Sequence, residues 1–111
     1  MSKGFNNNSA EVLERLFAVV KSRKGGDVSL SYTAKLFDAG MGEITRKVGE
    51  EAVETITAAF SAPENVIAES ADLLYHLLVL WAEMGIQPAN VWAELERREG
   101  ISGVNEKAER K

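Results

Sequence analysis

"KVGEEAVETITAAFSAPENVIAESADLLYHLL", Lys47 to Leu78, decides how this chain is read. It puts Glu50, Glu51 and Glu54 close together and a second acidic pair, Glu69 and Asp72, further on, inside segments otherwise patterned as core. Between Val48 and Glu96 there is no lysine and no arginine, so these acids have no local basic partner. On a helix, residues three and four apart share a face, which makes Glu51 and Glu54 neighbours and sets Lys47 one turn before Glu51. At about 100° per residue, the apolar stripe of the first half contains Ile44, Val48, Ala52, Ile56 and Ala59. Glu51 is expected on its border, Glu54 further round and Glu50 furthest from it.

In the second half, Val66, Ile67, Ala71, Leu73, Leu74, Tyr75, Leu77, Leu78, Leu80 and Trp81 make most of the circumference apolar. One polar strip remains, formed by Glu69, Asp72, His76 and Glu83. A helix apolar nearly all round is buried on several sides, so this strip is expected to line an internal groove or meet another helix. Two antiparallel helices joined by "SAPEN" set Glu51 and Glu54 level with Glu69 and Asp72, and four carboxylates are expected to converge. Several ionised carboxylates in a partly desolvated site cost several kcal/mol unless they take up protons or bind cations. Oxygen ligands without cysteine favour Mg²⁺, with Mn²⁺ as a substitute, over Zn²⁺. Because Mg²⁺ commonly combines a few carboxylates with substrate phosphates, the pattern points to phosphate-ester or anhydride chemistry. "EExxE" alone fits a solvated helix face. The second pair, on a mostly apolar helix with no base nearby, favours a metal site.

Outward from this stretch, punctuation divides the chain into helices. "NNNSAEVLERLFAVVKSRKGG" reads as a first helix with Asn8 as N-cap, Gly25 and Gly26 as the stop, and Val12, Leu13, Leu16, Phe17, Val19 and Val20 on one face. Ser31 caps a short helix closed by Gly40. A third runs from about Glu43 to Phe60, a fourth from Pro63 to about Met84 with Gly85 at its end, and a fifth from Pro88 to Gly100. No strand alternates convincingly. The expectation is one all-α domain over residues 1–111, with four to five helices in an antiparallel bundle and loosely ordered tails at about 1–8 and 101–111.

Composition narrows the function classes. A net charge of −4 argues against a general nucleic-acid binder, which needs a basic surface. The absence of cysteine excludes disulfides and thiolate metal sites. The longest apolar run is interrupted by Asp72, His76 and Glu83 and is too short to span a bilayer, and "MSKGFNNNS" lacks the apolar core of a secretory signal. A cytoplasmic protein is expected.

"SYTAKLF", "KVGEEAVE" and "ESADLLYHLLVLW" followed by "ELERREG" resemble the phosphoribosyl-ATP pyrophosphohydrolase family. The paired acidic motifs also resemble the wider all-α, MazG-like nucleoside-triphosphate pyrophosphohydrolase superfamily. The resemblance covers about Val12 to Lys111. It implies Mg²⁺-dependent hydrolysis of 1-(5-phosphoribosyl)-ATP to 1-(5-phosphoribosyl)-AMP and pyrophosphate, the second step of histidine biosynthesis, by a homodimer or higher homo-oligomer. By the same match, Glu51, Glu54, Glu69 and Asp72 are expected as metal ligands, with Glu50 as an auxiliary ligand or the base that orients water.

Other residues carry two readings each. Lys47 either contacts a phosphate or pairs with Glu50 or Glu51 along the helix. Lys35, within "SYTAKLF", reaches a substrate phosphate or is a solvated side chain. Arg97 and Arg98 meet the dipole of the fifth helix or bind phosphate, and both can hold. His76 is expected to bind substrate and to hydrogen-bond a carboxylate rather than ligate metal directly. Trp81 and Trp92 are expected in core or subunit contacts. The fourth helix has more apolar surface than its short neighbours can cover, so a homodimer is expected to complete the bundle. Two other functions fit the acids: a house-cleaning hydrolase of noncanonical nucleoside triphosphates, and a non-enzymatic helical dimerisation module with a structural cation site. Di-iron chemistry fits poorly, because no histidine lies three residues after a glutamate.

Overall fold

The computed structural model describes residues 9–100, and these contain helices and no strand. Asn8 and the two expected tails lie outside the described residues. The helices are α1 (Glu11–Ser22), α2 (Tyr32–Ala39), α3 (Met41–Ser61), α4 (Val66–Met84) and α5 (Pro88–Arg98), with a single 3₁₀ turn at Pro63–Asn65 between α3 and α4. The chain is all-α, as its periodicity and turn residues indicate.

Local chemistry accounts for the boundaries. The Ser31 side chain accepts a hydrogen bond from the Ala34 amide and so caps α2. Gly40 alone joins α2 to α3, with φ 93° and ψ −175°, a conformation open almost only to glycine. Gly85 ends α4 in the left-handed region at φ 74°. Pro63 starts the turn after α3, where its missing N–H costs nothing.

The longest pair, α3 and α4, forms the most extensive contact among the described helices and folds as an antiparallel hairpin. Val20, Leu36, Phe37, Ile44 and Val79, contributed by α1 to α4, make the buried core, with Leu16, Tyr75, Leu80 and Ala82 packed against it. The fifth helix is anchored by the fully buried Pro88 and by Trp92. The Trp92 ring meets Trp81 edge-on at 6.0 Å, and its Nε1 donates to Glu14 Oε2 at 2.6 Å.

The inward face of α3 differs from the expected stripe. Ile44, Glu51 and Ala58 are its buried residues, whereas Ile56 and Ala59 are exposed. The helix is rotated so that Glu51 sits within the buried face and not on its border. What decides this is the hairpin: the side of α3 carrying Ile44, Glu51 and Ala58 is the one that α4 covers. Val53, Ile56 and Phe60 form an exposed apolar stripe on α3, and Ile67, Ala71 and Leu74 form another on α4. On α1, Val12 and Val19 are likewise exposed, leaving Phe17 and Val20 as the buried residues.

Gly40→Ala is expected to cost about 1–3 kcal/mol through backbone strain alone, because the space around it is open. Gly49→Ala, within α3 and equally unobstructed, is expected to add about 0.5–1 kcal/mol through helix propensity. Urea denaturation of the two variants beside the parent measures both signs.

Candidate metal centre and anion pocket

Glu51 from α3 and Glu69 and Asp72 from α4 each direct a carboxylate oxygen into one group, with the three oxygens within 4.8 Å of one another. Their burial is graded. Glu51 is only 6% exposed, Glu69 is half-buried and Asp72 is exposed, so the group opens to solvent on one side. Glu51 Oε1 and Glu69 Oε1 are buried and accept no hydrogen bond. A buried, unpartnered carboxylate oxygen is costly, and two of them on carboxylates of one acidic group call for a shared cation.

The four expected carboxylates do not all meet: Glu54 stands outside this group. It is exposed and lines a neighbouring pocket of about 240 Å³ together with Ala58, Asn65 and Glu69. Once Glu51 occupies the inward face, the angular step of three residues carries Glu54 towards solvent.

The stretch after Val48 carries no base, but Lys47 just before it pairs with these acids, which is the ion pair along the helix expected for it. Lys47 Nζ lies 2.7 Å from Glu50 Oε1 and 3.6 Å from Glu51 Oε2. The hydrogen bond to Glu50 raises the Lys47 pKa and lowers that of Glu50, which keeps both charged. Arg46 bonds Glu43 through Nε and Nη2 at 2.9 and 2.8 Å. Its Nη1 lies 3.8 Å from Glu50. Glu50 therefore faces cations of its own helix and is not part of the three-carboxylate group. Further along α4, Glu83 pairs with Lys24 of the α1–α2 connection at 3.1 Å.

His76 is buried and bonds a main-chain carbonyl, where a carboxylate partner was expected. Nδ1 donates to the Asp72 carbonyl at 2.7 Å, and because a carbonyl only accepts, Nδ1 carries the proton. In the neutral ring Nε2 then accepts from the Tyr32 hydroxyl at 3.1 Å. Burial raises the Tyr32 pKa, which keeps that hydroxyl a donor. Thr33 and Tyr75 hydrogen-bond beside this contact, so two side-chain bonds tie α2 to α4 next to Asp72. The ends of polar side chains on α2 gave no periodic signal in the sequence from which these bonds could be read.

Lys35 and Lys47 line one pocket of about 360 Å³ with Tyr32, Leu36, Glu43 and Arg46. Arg97 and Arg98 lie away from it on α5, where both bond Glu94. Hydrogen bonds from Arg97 and then Arg98 hold the Glu94 carboxyl at about 2. This favours their structural reading at the helix end.

The chain matches the family model described as phosphoribosyl-ATP pyrophosphohydrolase over residues 13–99. It is 58% identical over 102 residues to the phosphoribosyl-ATP pyrophosphatase of Paramagnetospirillum magneticum, covering 91% of this chain and 94% of that protein. A protein of the same name from Rhodospirillum rubrum is 57% identical, over 91% of this chain and 87% of its own length. The Azospirillum brasilense protein, also so named, is 58% identical over 93% and 94% of the two chains.

Tyr32→Phe is expected to lower stability by about 0.5–1.5 kcal/mol, the usual net worth of one hydrogen bond. The folded pKa of Glu94 is depressed from 4.5 to about 2, so any contribution it makes is present above 4.5 and lost as pH falls towards 2. An NMR titration of the Glu94 carboxyl should show that low midpoint, and Arg97→Gln should raise it.

Proposed function

The chain belongs to the phosphoribosyl-ATP pyrophosphohydrolase family, and on that premise we propose that it is the hydrolase that converts 1-(5-phosphoribosyl)-ATP to 1-(5-phosphoribosyl)-AMP and pyrophosphate, with Mg²⁺ held by Glu51, Glu69 and Asp72. This would be the second step of histidine biosynthesis. One observation carries the reading: Glu51, Glu69 and Asp72 bring carboxylate oxygens within 4.8 Å of one another, and Glu51 and Glu69 each have a buried, unpartnered Oε1. An oxygen-only donor set suits a hard divalent cation, with Mn²⁺ as the substitute. Glu54, lining the adjoining pocket, is the fourth acid available to the cation or its waters.

When bound, the cation would neutralise triphosphate charge, stabilise the leaving pyrophosphate and lower the pKa of a bound water. Water cleaves the anhydride between the first and second phosphates, leaving the nucleoside monophosphate and pyrophosphate. Glu51, fixed by burial against α4, sets the donor geometry, and Asp72 on the open side admits substrate. His76 positions Asp72 by holding its carbonyl. Glu50, held beside the group by Lys47, is the acid that would orient water or assist the cation. A cytoplasmic location fits a phosphorylated nucleotide substrate, and no described helix is long and apolar enough to cross a membrane.

We also infer a homodimer, in which the stripes of Val53, Ile56 and Phe60 on α3 and Ile67 and Leu74 on α4 are covered by a second copy. Phe60 is 89% exposed and Ile67 84%, far from the state of large apolar side chains in a finished core. Sedimentation should give twice the chain mass, and Phe60→Glu with Ile67→Glu should give the monomer.

The deciding assay is pyrophosphate release from phosphoribosyl-ATP with Mg²⁺, beside ATP and noncanonical triphosphates. Glu51→Gln and Asp72→Asn are each expected to lower kcat by about 100-fold or more. Thermal denaturation should show stabilisation by Mg²⁺ of about 2.7 kcal/mol at one hundred times its Kd, and none in Glu51→Gln. Turnover of other triphosphates alone would assign the chain to house-cleaning hydrolysis. Mg²⁺ stabilisation without any turnover would assign a structural cation site.

A further inference from the structure

We propose that the pocket lined by Tyr32, Lys35, Arg46 and Lys47 is a phosphate-monoester subsite that takes the 5-phosphate of the second ribose, and so separates a phosphoribosyl nucleotide from a plain triphosphate. The inference rests on the substrate reading above.

The pocket is built between α2 and the first turns of α3, with the buried Leu36 behind it. Three cations, Lys35, Arg46 and Lys47, line it against one acid, Glu43, in a chain whose net charge is −4. Two of those cations are already oriented. Glu43 fixes the Arg46 guanidinium and Glu50 fixes the Lys47 ammonium, so little side-chain freedom is left to lose when an anion arrives. Lys35 forms no ion pair among the described residues. It supplies the uncompensated charge. A phosphate monoester carries about −1.5 to −2 charge at neutral pH and three acceptor oxygens, which suits an ammonium beside a guanidinium fork.

The position of the pocket identifies which phosphate it serves. Lys47 lines the pocket and also lies 3.6 Å from Glu51 Oε2, so the pocket and the three-carboxylate group are adjacent parts of one surface. Tyr32 makes a second connection, through His76 to the Asp72 carbonyl. Lys35 lines the pocket and none of Glu51, Glu69 and Asp72 does, so an anion seated by Lys35 lies outside the three-carboxylate group. The contiguous phosphates of an anhydride belong to the cation of that group. The pocket therefore suits an anion on the same ligand that is separate from the anhydride, and the ribose monoester is that group.

The test compares phosphoribosyl-ATP with the analogue lacking the monoester phosphate, ribosyl-ATP, in the parent, Lys35→Ala and Lys35→Arg. The ratio of kcat/KM between the two substrates is expected to fall about tenfold in Lys35→Ala, as for loss of one charge-assisted contact, and to recover in Lys35→Arg. An equal loss on both substrates, or no loss on either, would overturn the proposal and give the pocket to the triphosphate or to no ligand. Ribose 5-phosphate, titrated without Mg²⁺ and followed by NMR, should shift the amides of α2 and the start of α3, with about tenfold weaker binding in Lys35→Ala. Absence of those shifts in the parent overturns the subsite whatever the turnover. Failure of the parent to cleave phosphoribosyl-ATP while ribose 5-phosphate still binds overturns the proposed reaction alone.

Discussion

Everything distinctive in this molecule depends on a carboxylate held inside a helix hairpin. Glu51 lies among the buried residues of α3, opposite α4, at a position that an apolar side chain would fill at lower cost. Lys47, one turn earlier, offsets part of that cost at 3.6 Å from Oε2. It leaves Oε1 with no partner. The same packing that buries Glu51 brings Glu69 and Asp72 to it, so a costly burial and the assembly of the acidic group have one cause.

The short α2 helix then sets the surroundings of that group. Its start is fixed by the Ser31 cap and its end by the Gly40 conformation that turns the chain directly into α3. Because no loop intervenes, Lys35 on α2 and Arg46 and Lys47 on α3 line a common pocket. The bonds from Tyr32 to His76 and between Thr33 and Tyr75 join α2 to α4, so this pocket and the acidic group are positioned by one set of contacts. Rotamer freedom is removed by packing and paired charges before a ligand arrives, which is the physical meaning of preorganisation.

The outer surface follows another logic. The stripes on α3 and α4 repeat at helical spacing, as core residues do, yet Val53, Ile56, Phe60 and Ile67 remain largely exposed in the single chain. The inner faces of these two helices are committed to each other and to α1 and α2, and among the described residues no further element covers their outer faces. These uncovered stripes are the observation on which the proposed homodimer rests.

The sequence by itself determined the elements and the chemistry at hand. Glycines and prolines punctuated five helices, apolar periodicity excluded strands, and an acidic pair on each of two helices pointed to oxygen ligands for a hard cation. Tertiary structure decided which acids meet. Periodicity identifies an apolar stripe but does not say which of two stripes faces the hairpin partner, and α3 carries both Ile44–Ala58 and Val53–Phe60. Choosing the first drew Glu51 inward and left Glu54 beside the group. The pairing of Lys47 with Glu50 and Glu51 was legible from helical spacing, but only the fold shows that it leaves one oxygen of Glu51 unpartnered. His76 bonds a backbone carbonyl, which every residue carries and no motif marks. Helix boundaries follow from local backbone chemistry, whereas the rotation of one helix against another is set by the summed packing of both faces, which exists only once the chain has folded.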